Sequence, residues 1–305
     1  MTQVLQWSKS ALSTLLDTCS WQWYLTKVRE VEDPGGPYNW RGTALHSAVE
    51  HHERVRLVNL RDLRDLPLPS LDELVARGFE ALARELAQAQ PTDEVWDRYQ
   101  TSDAEVHTEV EAAVTHWYQT PHEKGGPSLR ELVLDWRPVA VESQFRVANN
   151  ASPRHLGGFT DVAYLDDEGK GVVVDLKTAG KLSYWKSAEG HEREGMVYIL
   201  AAERSPTIPL SSPVRMEWHI VRPQPGKAAT FQGARRVTFE PEPHHYAWLA
   251  ADLRRADRIV AEGDFRENPR SNLCSVKFCP AFGGCQVTGE LSQRTLAGTL
   301  PAGVR

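Results

Sequence analysis

Three ionisable side chains between Gly157 and Thr178 are spaced so that they could act together: Asp161, Asp175 and Lys177. An apolar-rich run through Tyr164, the turn signal Asp166-Asp167-Glu168-Gly169 and the β-branched run Val172-Val173-Val174 predict a β-hairpin. Folding about Glu168 sets Asp161 opposite Asp175, because the two positions are equally far from that centre. Opposed residues on an antiparallel pair have Cβ atoms about 5 Å apart, and the period of two puts Lys177 on the face of Asp175. Carboxylates that close repel, and burying them without a partner is costly. A hard divalent cation, Mg²⁺ or Mn²⁺, would relieve the repulsion through carboxylate and carbonyl oxygens. Lys177 beside it would hold or polarise a water, or meet charge developing on a phosphate. The competing reading is a solvated hairpin with an ordinary cross-strand ion pair.

The elements that must position these groups can be read along the chain. Ser8 and Ser10 as caps, followed by Leu12, Leu15, Leu16, Cys19, Trp23 and Tyr24 near helical spacing, predict a first helix over 8–28. The breakers Asp33-Pro34-Gly35-Gly36-Pro37 end it, and a second helix is expected from about Gly42. Residues 61–135 read as mostly helical and polar, a helical insertion before the sheet. Strands are expected at about 137–148, 157–166, 171–178, 214–222 and 229–239, with helices at 189–204 and 243–263. The fold class is therefore α/β. The expected organisation is N-terminal helices (1–54), the helical insertion (55–135), a core (136–265) and a cysteine-rich segment (266–305).

At 305 residues with 41% apolar and 25% charged residues, the chain has the profile of a globular protein with one large core or two modest ones. No apolar run approaches the roughly 20 residues that cross a bilayer, and the start lacks a long apolar leader, so a cytoplasmic protein without a membrane partner is expected. A net charge of −6 argues against nonspecific coating of nucleic acid but leaves room for a local basic groove. Lys177, Lys181 and Lys186, Arg235-Arg236, and Arg254, Arg255 and Arg258 are the candidate pieces, each with a solvated face as the alternative.

Of the four cysteines, Cys19 stands near the start, while Cys274, Cys279 and Cys285 fall within twelve residues near the end. Three thiols in so short an irregular segment make a poor disulfide framework in a cytosolic chain, and a metal or cluster site is the stronger reading. The C-x₄-C-x₅-C spacing has neither a nearby His pair nor paired C-x₂-C ligands, which favours an iron–sulfur cluster over zinc, with buried thiols as the remaining alternative. Either metal would staple the first helix to the C-terminal segment.

Taken in order, SALSTLLDTC, GTALH (42–46), VESQF (141–145), GGFTD (157–161), VVDLKT (173–178), YILA (198–201) and the terminal cysteines resemble the RecB-like PD-(D/E)XK nucleases. The likeness is to the iron–sulfur branch that includes CRISPR-associated exonucleases, the AddB nuclease domain and phage relatives. It implies a restriction-endonuclease-like mixed β-sheet core flanked by helices, with the C-terminal segment stapled by a 4Fe-4S cluster on Cys19, Cys274, Cys279 and Cys285. It also implies His46, Asp161, Asp175 and the carbonyl of Leu176 as metal ligands, Lys177 as the catalytic lysine, and Glu142 as a carboxylate that helps position the metal or a water. Tyr198 matches the tyrosine of the family's Q-x₃-Y helix, with Glu194 where the family has Gln. The first cysteine gap is four residues where the family commonly has two.

The function so implied is a Mg/Mn-dependent DNA exonuclease acting on single strands or ends, in recombination, repair or spacer acquisition in a prokaryotic or phage-infected cell. A homo-oligomer, or a recombination or CRISPR-type partner protein, would fit that setting. Two other readings compete. One is a non-catalytic nucleic-acid-binding or adaptor protein with a structural cluster; the other is a metal hydrolase of the same fold acting on a small phosphoester.

Overall fold

The structure, a computed structural model, describes residues 6–31, 35–210, 214–224, 233–271, 273–275, 277–280, 282 and 285. In chain order its elements are β1 (Gln6–Trp7), α1 (Lys9–Ser13), a π-helical turn (Thr14–Thr18), α2 (Ser20–Lys27), α3 (Pro37–Asp62), α4 (Leu71–Ala89), α5 (Asp93–Tyr99), α6 (Asp103–Gln119) and α7 (Leu129–Leu134). They continue with β2 (Arg137–Val147), β3 (His155–Leu165), β4 (Gly171–Thr178), a short 3₁₀ turn (Leu182–Tyr184), α8 (Glu192–Arg204), β5 (Val214–Val221), β6 (Ala234–Phe239) and α9 (Pro243–Glu262). Residues 229–232 of the expected last strand, and 286–305 of the cysteine-rich segment, lie outside the described residues.

The chain folds as two compact units, one of residues 35–147 and 157–246, the other of 1–34, 148–156 and 247–305. In the first unit β3 and β4 form the expected antiparallel hairpin, paired from Val162↔Val174 to Leu165↔Gly171. The Asp166 N–H donates to the Lys170 carbonyl and Gly169, at φ 77°, donates to the Asp166 carbonyl, so the turn sits where the sequence places it. β4 pairs in parallel with β5, and β5 pairs antiparallel with β6. A parallel pair cannot be joined by a tight turn, and α8 supplies the crossover, packing on β2, β4 and β5.

Alternation along β4 decides which side chains reach the site. Val172, Val174 and Leu176 enter a core with Leu45, Ala48 and Val49 of α3 and with Trp117 and Leu129 from the insertion. Val173, Asp175 and Lys177 point to the other side, where Asp175 and Lys177 meet α8. Helix α3 holds its place through Trp40, Ala44, Leu45, Ala48 and Val49, a stripe at i, i+4 spacing. It begins five residues before the expected Gly42, because Pro37 occupies its first turn, where the missing N–H costs nothing. The insertion is helical as expected, with Ser70–Glu73 and Ser128–Glu131 capping boxes fixing the starts of α4 and α7.

The second unit departs from the expected single helix over 8–28. The chain breaks into α1, the π turn and α2, with Cys19 extended at φ −169° between the last two. Its sulfur accepts the Gln22 N–H at 3.4 Å, taking the place of an N-cap oxygen. Two-residue β1, too short to leave a pattern in the sequence, pairs in parallel with His155 and Leu156. Trp7 donates from its indole nitrogen to Asp257, which also pairs with Arg154.

Candidate metal centre

Where the hairpin pairing stops at Val162↔Val174, the backbone of Leu176 turns to side chains. Its N–H donates to Asp161 Oδ2 at 2.7 Å, and its carbonyl stands 3.0 Å from His46 Nε2. The other ring nitrogen of His46 faces two carboxylates, Asp161 Oδ2 at 3.4 Å and Glu142 Oε1 at 4.0 Å. Among the described residues, His46, Glu142 and Asp161 form the one set of three or more His, Cys, Asp or Glu ligand atoms lying within 4.8 Å of one another. Two carboxylates, an imidazole and a backbone carbonyl are the hard and borderline donors that Mg²⁺ or Mn²⁺ takes.

Glu142 is held by its backbone as well as its charge. It sits within β2 at φ 45°, the left-handed region, which a non-glycine residue occupies at a cost of about 1–3 kcal/mol. Strain of this kind persists where surrounding structure imposes it, and here it aims a carboxylate at His46.

Asp175 stands beside this set rather than within it. Its carboxylate, 1% exposed, accepts the Tyr198 hydroxyl at 2.8 Å and forms an ion pair with the Lys177 ammonium at 2.5 Å. Lys177 also donates to Glu194 Oε1 at 2.8 Å. Glu194, singled out in the sequence only as a departure from the family's Gln, thus holds the lysine. What the sequence did not signal is how close Glu142 comes to His46, since that depends on how β2 and α3 meet.

The electrostatics follow from crowding carboxylates around His46, although the side chains of His46 and Glu142 keep 31% and 25% of their surface exposed. Burial alone would discharge His46, but Asp161, Asp175 and Glu142 outweigh it and push its pKa up to about 9. Burial, reinforced by the charge of Asp161, raises Glu142 to about 7. Burial opposes the charge of Lys177, yet Asp175 and Glu194 prevail and lift it above its ordinary range. Tyr198 is likewise raised, by burial and then by Asp175.

A cation entering this centre must therefore displace protons. At pH 7 the His46 imidazolium and a share of Glu142 have to deprotonate before they can act as ligands. Apparent Mn²⁺ affinity is expected to rise about tenfold per pH unit between Glu142's 7 and His46's 9, and more steeply below 7. Titration calorimetry in buffers of differing ionisation enthalpy would read this as net proton release; affinity flat from pH 6 to 9 would exclude His46 and Glu142 as ligands.

The other basic candidates have separate places. Arg236 makes two hydrogen bonds to the buried carboxylate of Glu217, and Arg235 donates to the Trp185 carbonyl. Arg236 thus binds within the sheet, and Arg235 ties β6 to the segment after the 3₁₀ turn. In the other unit, Arg255 and Arg258 line a cleft with Asp17 and Glu262, and Cys19, Cys274, Cys279 and Cys285 all border one small pocket with Trp21 and Phe282.

No curated protein matches the chain in sequence. Among solved structures, a candidate exonuclease from Eubacterium rectale aligns at 9% identity and a TM-score of 0.49, covering 88% of this chain and 87% of the other. A protein designated SSO0001 aligns at 14% identity and a TM-score of 0.32, covering 78% and 95%. These folds are too distant to speak about activity. The sequence profile of the PD-(D/E)XK nuclease superfamily, by contrast, matches residues 6–286, almost the full length, and the chain belongs to that superfamily.

Proposed function

We propose that this chain is a Mg²⁺- or Mn²⁺-dependent deoxyribonuclease that hydrolyses phosphodiester bonds from single-stranded DNA or DNA ends. The observation that carries the reading is the meeting of His46, Glu142 and Asp161 beside the Asp175–Lys177–Tyr198 group at the end of one hairpin, in a chain of nuclease ancestry. His46, Glu142, Asp161 and the Leu176 carbonyl would hold the ion, with Asp175 completing its shell or its support. When bound, the ion supplies Lewis acidity and an activated water. Lys177 places a fixed positive charge where charge develops on the phosphate. Asp175 and Glu194 hold that ammonium, and Tyr198 orients Asp175 through its hydroxyl.

Cys19, Cys274, Cys279 and Cys285 would bind a 4Fe-4S cluster, with zinc as the alternative metal. What supports this is that the four border one pocket although more than 250 residues separate Cys19 from the rest. The setting would be DNA recombination, repair or spacer acquisition inside a prokaryotic cell, in a homo-oligomer or with a protein partner. No helix among the described residues is long and apolar enough to cross a membrane.

End-labelled single strands blocked at the 5′ or the 3′ terminus, incubated with Mn²⁺, test the reading. Mononucleotide release from one unblocked end, with circular single strands and phosphomonoesters left intact, is the expected result. Cleavage of the circle at the linear rate would make the enzyme an endonuclease, and hydrolysis of the monoester alone would remove DNA as substrate.

A further inference from the structure

The helices between α3 and β2 pack on α3 and join the core with β4, and they also border an open cavity of about 390 Å³ against the start of α3. Tyr38 of α3 and Tyr99 at the end of α5 meet edge to face there, ring centroids 5.7 Å apart. The Arg41 guanidinium lies over the Tyr38 ring at 4.5 Å, pairs with Glu109, and keeps its Nε buried without a hydrogen-bond partner, although the residue is only 5% exposed. The hydroxyl end of Tyr99 packs on Gly36, where a Cβ would fall 2.5 Å from its Cζ, so glycine leaves room for the ring in this position. Gln100, held at φ 52°, and Gln224 add amides to the rim.

The charge of the cavity says which part of a polynucleotide would fit. Arg41 is already neutralised by Glu109, and Glu105 adds a further carboxylate, so a phosphate would be repelled. A nucleobase would be accepted: aromatic rings stack on any base, and carboxylate and amide groups suit the donors and acceptors of base edges. The cavity also lies on a path to the metal centre. Tyr38, Gly42 and His46 follow one another at intervals of four along α3, and a Cβ at Gly42 would meet nothing within 4 Å, so the ridge between tyrosine and histidine is open. Eight residues of helix span about 12 Å, on the order of three nucleotides of a stacked strand.

We propose that this cavity captures one unpaired base of a single-stranded DNA substrate, stacked on the Tyr99 ring beside Tyr38, on the order of three nucleotides from the bond being cut. The proposal rests on the nuclease reading above. It gives the insertion a task that duplex DNA cannot use, since a paired base cannot enter an aromatic pocket without leaving its stack.

The test walks a single abasic nucleotide along a labelled single strand and measures kcat and KM with Mn²⁺ for the parent, Tyr99→Leu, Tyr99→Phe and Gly42→Leu. In the parent, an abasic site at one position is expected to raise KM about tenfold with kcat within about twofold, the loss typical of one stacked base. Tyr99→Leu should raise KM on the intact strand by the same factor and abolish the position dependence, while Tyr99→Phe keeps both. Gly42→Leu adds a side chain in open space and improves helix propensity, so it should fold and still raise KM by obstructing the ridge. A flat abasic scan in a parent that cuts the strand would overturn the stacking site and leave the nuclease reading standing. A parent that neither binds nor cuts single strands would overturn both.

Discussion

Lys177→Met is expected to lower kcat on single-stranded DNA by about 10²- to 10³-fold, the usual loss when one preorganised donor is removed from a developing anion, while Mn²⁺ still binds. Methionine keeps the apolar stem and removes the charge, so packing against β4 should survive. Between Asp175 and Glu194 the ammonium is held so firmly in its charged form that it cannot serve as a base near neutrality; bases that work at pH 7 are tuned toward 7, not away from it. Its contribution is then a fixed positive charge, and the pH–rate profile of the parent should show no limb that disappears in the variant. Lys177→Arg restores charge in a planar fork that does not fit the same two oxygens, so it should recover stability more fully than rate. The decisive readout is single-turnover cleavage beside a Mn²⁺ binding isotherm. Parental turnover by Lys177→Met would take Lys177 out of the chemistry, whereas loss of metal binding in the variant would make its role structural.

How much of this was legible in the chain depends on the range of the interaction that sets each feature. The hairpin was, because alternation and a four-residue turn are local: a centre at Glu168 predicts Val162 opposite Val174, and that pair is present. Strands β4 and β5 and helix α9 fall within a residue or so of expectation for the same reason. The start of α3 lies five residues ahead of expectation because Pro37 reads as a breaker in the sequence, while its position in the first helical turn makes it an initiator. The interruption at Cys19 was hidden because the apolar spacing on its two sides is helical throughout; the break is set by contacts between Cys19 and Ser20 and the distant Arg266 carbonyl. At the metal centre, residue types gave Asp161, Asp175 and Lys177, and the family likeness added His46 and Glu142. What neither could supply was the pattern of contacts, in which Glu142 stands near His46 and Asp161 while Asp175 accepts from Tyr198 and pairs with Lys177. That pattern follows from where β3 and β4 cease to pair and from a strained residue within β2.

The other large effect concerns the cysteines. Cys19→Ala in the full chain is expected to yield colourless protein containing less than one iron per chain, where the anaerobically purified parent is brown and carries about four, the content of the proposed 4Fe-4S group. Zinc is the alternative, and the metal content of the purified protein separates the two, since the four cysteines border one pocket in either case. The consequence for stability follows from sequence distance. Tying Cys19 to the terminal segment closes a loop of more than 250 residues, and a link of that length removes about 5 kcal/mol of chain entropy from the unfolded state. Cys19→Ala should accordingly unfold its own unit at markedly lower temperature, and limited proteolysis should cut first near Arg266 to Cys285. Because the metal centre lies wholly within the other unit, Mn²⁺ affinity should change little. A brown Cys19→Ala protein with parental thermal stability would show that this cysteine is no ligand, and a colourless parent with one zinc would replace the cluster by a single ion.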